Sequence, residues 1–119
     1  MTFDEYVPLA MRTLSGASGE DFKSKMTTAA IGFSGEVGEF NEHIKKWLFH
    51  GHPSLDVPKL EKELGDILWY WACAVSALEL NPNEVAEKNI RKLKDRYPVL
   101  FYPDGSINKN EENEAQVHP

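Results

Sequence analysis

A helical period running through residues 24–49 constrains the fold more than any other feature of the chain. Turned at about 100° per residue, Phe33, Val37, Phe40, Ile44, Trp47 and Leu48 fall within one arc, which predicts a long amphipathic helix. Such a helix has to lay its apolar face on another element. No alternating strand pattern and no internal repeat occurs in the chain, so the class expected is all-α. Gly32, Gly35 and Gly38 recur every three residues on this helix, and each costs roughly 1 kcal/mol of helix propensity relative to Ala. Their spacing suggests that something approaches closely on that side.

Three further helices follow from boundary signals. Residues 2–14 open with a Thr2-x-x-Glu5 capping box, but Pro8 lacks the N–H of an interior helical residue, which leaves two possible starts, Thr2 and Pro8. Residues 15–19, rich in Gly and Ser, read as a loop. Gly51, His52, Pro53 and Ser54 end the long helix, and Asp56-Val57-Pro58 starts the next with a capping Asp and an early Pro. Residues 58–79 place Leu60, Leu64, Ile67, Trp71, Ala74, Val75 and Leu78 on one stripe. Asn81-Pro82-Asn83-Glu84 starts a fourth helix that runs to Arg96, where Tyr97-Pro98 stops it. The expected organisation is one four-helix domain over residues 1–98 and a polar C-terminal tail over residues 99–119, mobile or partner-dependent.

The chemistry concentrates in two acid pairs. Glu36-Val-Gly-Glu39 lies on the second helix and Glu63-Leu-Gly-Asp66 on the third. An i, i+3 spacing puts both carboxylates of a pair on one face, about 60° apart, so their oxygens can converge on one hard cation. In each pair the first acid borders the apolar stripe and the second lies one step further round. The two pairs are equidistant from Gly51, so an antiparallel hairpin about that residue brings them level. Four facing carboxylates form a costly like-charge cluster that cations would stabilise. An oxygen-only donor set favours Mg²⁺ or Mn²⁺ over zinc. Solvated surface acids are the ordinary fate of glutamates, but two pairs symmetric about a turn, each with a glycine before its second acid, favour a metal site. A di-iron bundle would need Glu-x-x-His pairs, and no histidine has a Glu three residues before it. Neither a P-loop nor a GxGxxG fingerprint is present.

Gly35-Glu-Val-Gly-Glu39, Glu63-Leu-Gly-Asp-Ile-Leu-Trp-Tyr70 and Glu87-Lys-Asn-Ile-Arg-Lys-Leu-Lys-Asp-Arg-Tyr-Pro98 together resemble the MazG-like nucleoside triphosphate pyrophosphohydrolases of the all-α NTP pyrophosphatase superfamily. The likeness spans residues 26–98, and Ser106-Ile-Asn-Lys109 is similar to the tails of short members, phage-borne ones included. The resemblance implies cleavage of an NTP or dNTP between its α and β phosphates to NMP and pyrophosphate, with Mg²⁺ on Glu36, Glu39, Glu63 and Asp66. It also implies homodimers or dimer-of-dimers homotetramers.

Other residues are candidates for the substrate. Lys45 and Lys46, two turns beyond the first acid pair, could reach phosphates or belong to a solvated face. Trp47 lies on the apolar arc and fits a core or interface; the resemblance adds base stacking. Asn89, Lys92 and Arg96 share one face of the fourth helix and resemble the family's phosphate-side Asn and basic positions, although compensation of the helix-end dipole accounts for Arg96. Tyr70, four residues after Asp66, can line the site or sit at the core edge. His43, seven residues beyond Glu36, reads as a surface histidine too far along to share its ion, and Cys73 as a small core residue.

Composition narrows the alternatives. At 119 residues the chain makes one domain, and its net charge of −6 argues against nucleic acid as a partner. The longest nearly uncharged run, residues 67–78, falls short of the roughly 20 residues a membrane span needs, and the first residues show no basic, apolar leader. A single cysteine allows neither an intramolecular disulfide nor a Cys-based zinc site and suits a reducing cytoplasm. Trp47, Trp69, Trp71 and the glycine ridge offer more packing surface than one small bundle covers, which points to a homo-oligomer. Two rivals remain: a non-catalytic nucleotide- or metal-binding module, and a structural helical oligomer with decorative acids.

Overall fold

A computed structural model describes residues 1–14 and 21–102. The expected 15–19 loop and the tail beyond residue 102, including Ser106 to Lys109, lie outside them. Among the described residues there are five helices and no strand: α1 (Phe3–Met11), α2 (Phe22–Phe49), α3 (Val57–Ala77), α4 (Pro82–Arg96) and α5 (Pro98–Phe101). The all-α expectation holds. The chain divides into two compact units, Met1–Pro82 and Asn83–Pro119.

In the first unit, α1 starts at the earlier of its two possible origins. Thr2 Oγ1 accepts from the Glu5 N–H at 3.1 Å, and Glu5 Oε1 accepts from the Thr2 N–H at 3.1 Å. This reciprocal box satisfies two donors at the helix start, whereas Pro8 removes one further on, so the helix runs through Pro8. It stops at Met11, before the expected Leu14, because Arg12, Thr13 and Leu14 tighten into bonds to carbonyls three residues back.

The 28-residue α2 is capped by Asp21, whose Oδ1 accepts from the Ser24 N–H at 2.7 Å. Gly51, with φ of 74°, turns the chain out of the helix in the left-handed region that glycine tolerates. Asp56 caps α3 through the Lys59 N–H at 3.2 Å, and Pro58 sits in its first turn. At the far end Leu80 N–H returns to the Val75 carbonyl at 3.0 Å, with Glu79 held at a φ of 54°. That is a Schellman closure made without glycine.

Helix α3 packs against both α1 and α2. Its C-terminal half is covered most completely: Ala72 and Cys73 are fully buried and Val75 nearly so. Val7 and Ala10 of α1 join Ala72 in one core cluster, flanked by Tyr6, Met11, Trp69 and Trp71. The Trp69 indole N–H donates to the Ala10 carbonyl at 3.1 Å and to Thr13 Oγ1 at 2.8 Å, and Trp71 meets Phe3 with ring centroids 5.3 Å apart. Two of the three tryptophans read as oligomer surface thus pack against α1 within the chain. Leu64 and Leu78, expected on the buried stripe, are exposed.

Of the three glycines on α2, one has a close neighbour. A Cβ at Gly32 would collide with the Tyr70 ring of α3, whereas at Gly35 and Gly38 it would meet nothing within 4 Å. In a hairpin centred on Gly51, residue 32 is level with residue 70 and residue 39 with residue 63, so this contact fits the register expected from the sequence.

Helix α4 begins at Pro82, the last residue of the first unit, and ends at Arg96 in the second, as its flanking signals predict. One more helical turn, α5, follows where the sequence reading begins the tail.

Candidate metal centre

Each acid pair has one member turned inward. Glu36 on α2 and Glu63 on α3 are half-buried, while Glu39 and Asp66 are exposed. The inner face of α2 runs through Ala29, Gly32, Phe33, Glu36, Phe40 and Ile44, and that of α3 through Leu60, Glu63, Ile67 and Tyr70. Each helix therefore carries one carboxylate on its inner face, at the level where the two faces meet.

Glu36, Glu39 and Glu63 each bring one carboxylate oxygen to a group in which all lie within 4.8 Å of one another. Asp66 is not among the three. It is a shorter side chain on the exposed side of α3, although its charge is felt at Glu36 and at the Tyr6 hydroxyl. Oε2 of Glu36 and Oε2 of Glu63 are buried without a hydrogen-bond partner. A buried carboxylate oxygen in that condition is expensive, and two such atoms in a like-charge cluster ask for a proton or a cation.

The electrostatics follow from this arrangement. The Glu36 carboxyl is pushed up to about 7, first by the hydrogen bond its protonated form makes with Glu63, then by burial, then by the charges of Glu39, Asp66 and Glu63. The carboxylate set fits a hard divalent cation: its ligands are all oxygen, and the buried unpaired atoms are those a cation would engage.

The remaining candidates fall as follows. Tyr70 is half-buried, packed on α2 at Gly32 and edge-on to Trp69 at 5.0 Å. Lys46 is half-buried and Trp47 is exposed, both in the last turn of α2. Asn89 and Lys92 lie exposed on one face of α4, in the second unit. His43 departs from the sequence reading. Its side chain is half-buried, and its Nε2 lies 3.8 Å from Glu63 Oε1. Spacing along its own helix separates His43 from the ion of Glu36, but the hairpin register carries the signal, because His43 stands one turn beyond Glu39, which is level with Glu63.

The MazG nucleotide pyrophosphohydrolase domain matches residues 24–101. The chain belongs to the MazG family. The match takes in both acid pairs, the hairpin between them and all of α4, and leaves α1 outside. Among curated proteins, the Gene 37 protein of Mycobacterium phage L5 is 30% identical to this MazG chain over 84 residues, which cover 68% of the chain and 74% of that protein. No solved structure matches the chain significantly.

Proposed function

We propose that this MazG protein hydrolyses a nucleoside or deoxynucleoside triphosphate to the monophosphate and pyrophosphate, using Mg²⁺, or Mn²⁺ in its place. The observation that carries the reading is the convergence of Glu36, Glu39 and Glu63, two of them with buried and unpaired oxygens, in a chain of this family.

Glu36, Glu39, Glu63 and Asp66 are the proposed ligands. When bound, divalent cations neutralise phosphate oxygens and make water a better nucleophile near neutral pH. The chain's own share is positional. Glu36 and Glu63 fix the inner edge of the site from two different helices, and the exposed Glu39 and Asp66 leave its outer edge open to solvent and substrate. An acidic site of this kind repels a triphosphate until cations offset its charge, which makes metal and nucleotide binding interdependent. Lys46, Asn89 and Lys92 are proposed to meet phosphate oxygens, and Trp47 and Tyr70 to flank the nucleotide with apolar faces.

A homodimer or homotetramer is part of the same proposal. Val37, Trp47, Leu48 and Phe49 of α2 are 41%, 40%, 54% and 76% exposed, apolar surface that a second copy would cover in part. No helix among the described residues is long and apolar enough to cross a membrane, and a cytoplasmic location would give access to the nucleotide pool.

Pyrophosphate release, assayed across canonical and modified NTPs and dNTPs with Mg²⁺ and with Mn²⁺, tests the activity. Metal-dependent turnover of at least one nucleotide is expected. Metal-dependent thermal stabilisation without turnover would make the protein a binding module, and the absence of both would leave a structural helical protein.

A further inference from the structure

We propose that His43 is a positioning residue for Glu63, holding one carboxylate oxygen so that the other stays available to the cation. The inference rests on the metal-centre reading above and adds to it a residue outside the two acid pairs.

The two oxygens of Glu63 have different surroundings. Oε1 lies 3.8 Å from His43 Nε2, while Oε2 is buried and makes no hydrogen bond. The side chains are 24% and 15% exposed respectively, so both are confined by their neighbours and neither swings freely into solvent. At 3.8 Å the contact is longer than a hydrogen bond, and a small rotation of either side chain or one bridging water closes it. The imidazole needs no charge for this role, because the neutral tautomer with its proton on Nε2 is already a donor.

Glu63 stands in a like-charge cluster that such a partner would restrain. One oxygen of Glu63 lies within 4.8 Å of an oxygen of Glu36 and of Glu39, and an unrestrained carboxylate there would rotate away from them. A donor held beside Oε1 by α2 opposes that rotation and fixes the direction of Oε2. His43 comes from α2 and Glu63 from α3, so the contact also ties the hairpin at the level of the acids. Partners of this kind behind metal-binding carboxylates typically change metal affinity or activity by about 10- to 100-fold when removed.

The test compares His43→Gln with His43→Leu in the full chain. Both replacements are close to the imidazole in bulk, but only glutamine places an N–H donor near the position of Nε2. Mg²⁺ affinity is read by calorimetry without nucleotide, and fold by thermal denaturation without metal. His43→Gln is expected to bind Mg²⁺ within a few-fold of the parent and His43→Leu about 10-fold or more weakly, with turnover of His43→Leu recovering as Mg²⁺ is raised. Equal affinity in all three proteins would overturn the proposal, and so would an equal loss in both variants, which would make bulk rather than the donor responsible. If the parent itself binds no Mg²⁺, the metal-centre reading fails; if the parent binds and His43→Leu matches it, only the role of His43 fails.

Discussion

Tyr70 rests on the backbone of α2 at Gly32, in the space a side chain there would fill. This contact fixes how deeply α3 sits on α2 one turn away from the paired acids, since Gly32 precedes Glu36 by four residues and Tyr70 follows Asp66 by four. A methyl group at position 32 has to displace the ring or separate the helices. Gly32→Ala is therefore expected to destabilise the protein by about 1–3 kcal/mol despite its better helix propensity, lowering Tm by roughly 5–15 °C. Gly35→Ala, which meets nothing within 4 Å, should cost nothing inside the chain. Thermal denaturation of the two variants side by side checks the contrast.

The acid cluster gives the metal-free protein an unusual pH dependence. Glu36 has an ordinary value of 4.5 and is pushed up to about 7 in the folded chain, so the folded state holds its proton more tightly than the unfolded state does. The resulting stabilisation is complete below the unfolded value and is lost as pH rises through about 7. With chelator present, Tm should fall between about pH 5 and about pH 8, and Glu36→Gln, neutral throughout, should flatten that slope. Saturating Mg²⁺ should reverse it, because protons and cations compete for the same oxygens. A chelated protein whose stability rises with pH across this window, with no difference in Glu36→Gln, would contradict the assigned cluster.

Much of the hairpin could be read from the chain because its determinants are local or periodic. Asp56 and Pro58 mark the start of α3, Gly51 marks the turn, and equal spacing from that turn sets the register that brings Tyr70 to Gly32 and Glu63 to Glu39. The inward placement of Glu36 and Glu63 follows from the same periodicity. What spacing does not encode is how each side chain leaves its helix. Asp66 shares a face with Glu63, yet it stands outside the group of converging oxygens. Trp69 was unreadable for another reason. Its partners, Ala10 and Thr13, are more than fifty residues away, in and just after a helix whose start Pro8 obscured.

The end of α3 holds a stability reserve away from the acids. Glu79 adopts a φ of 54°, a left-handed conformation that costs a residue with a Cβ about 1–2 kcal/mol. Leu80 N–H bonds back to Val75, so the closure itself is already formed and only the strain remains to be removed. Glu79→Gly should raise stability by about 1 kcal/mol, a few degrees in Tm. Turnover should not change.

The last prediction separates holding the metal from holding the nucleotide. If the acids bind the cation while Asn89 and Lys92 contact phosphate, two sets of variants should fail differently. Glu39→Gln and Glu63→Gln should lose Mg²⁺ binding by calorimetry and turnover together, the latter by about two orders of magnitude or more, since a cation contributes several kcal/mol of charge stabilisation. Each also removes a charge from the cluster, so the metal-free fold should be kept or strengthened. Asn89→Ala and Lys92→Ala should leave Mg²⁺ affinity of the free protein unchanged and impair turnover. A phosphate contact equally strong before and during reaction would raise only KM, whereas one that strengthens as charge moves to the leaving pyrophosphate lowers kcat. The Lys92 ammonium is expected to act in the second way, with a fall in kcat of about 10- to 100-fold, because a cation beside the leaving group meets growing negative charge. Unchanged kinetics in both α4 variants would confine that helix to a structural role and direct the search for phosphate ligands to Lys46 and its neighbours on α2.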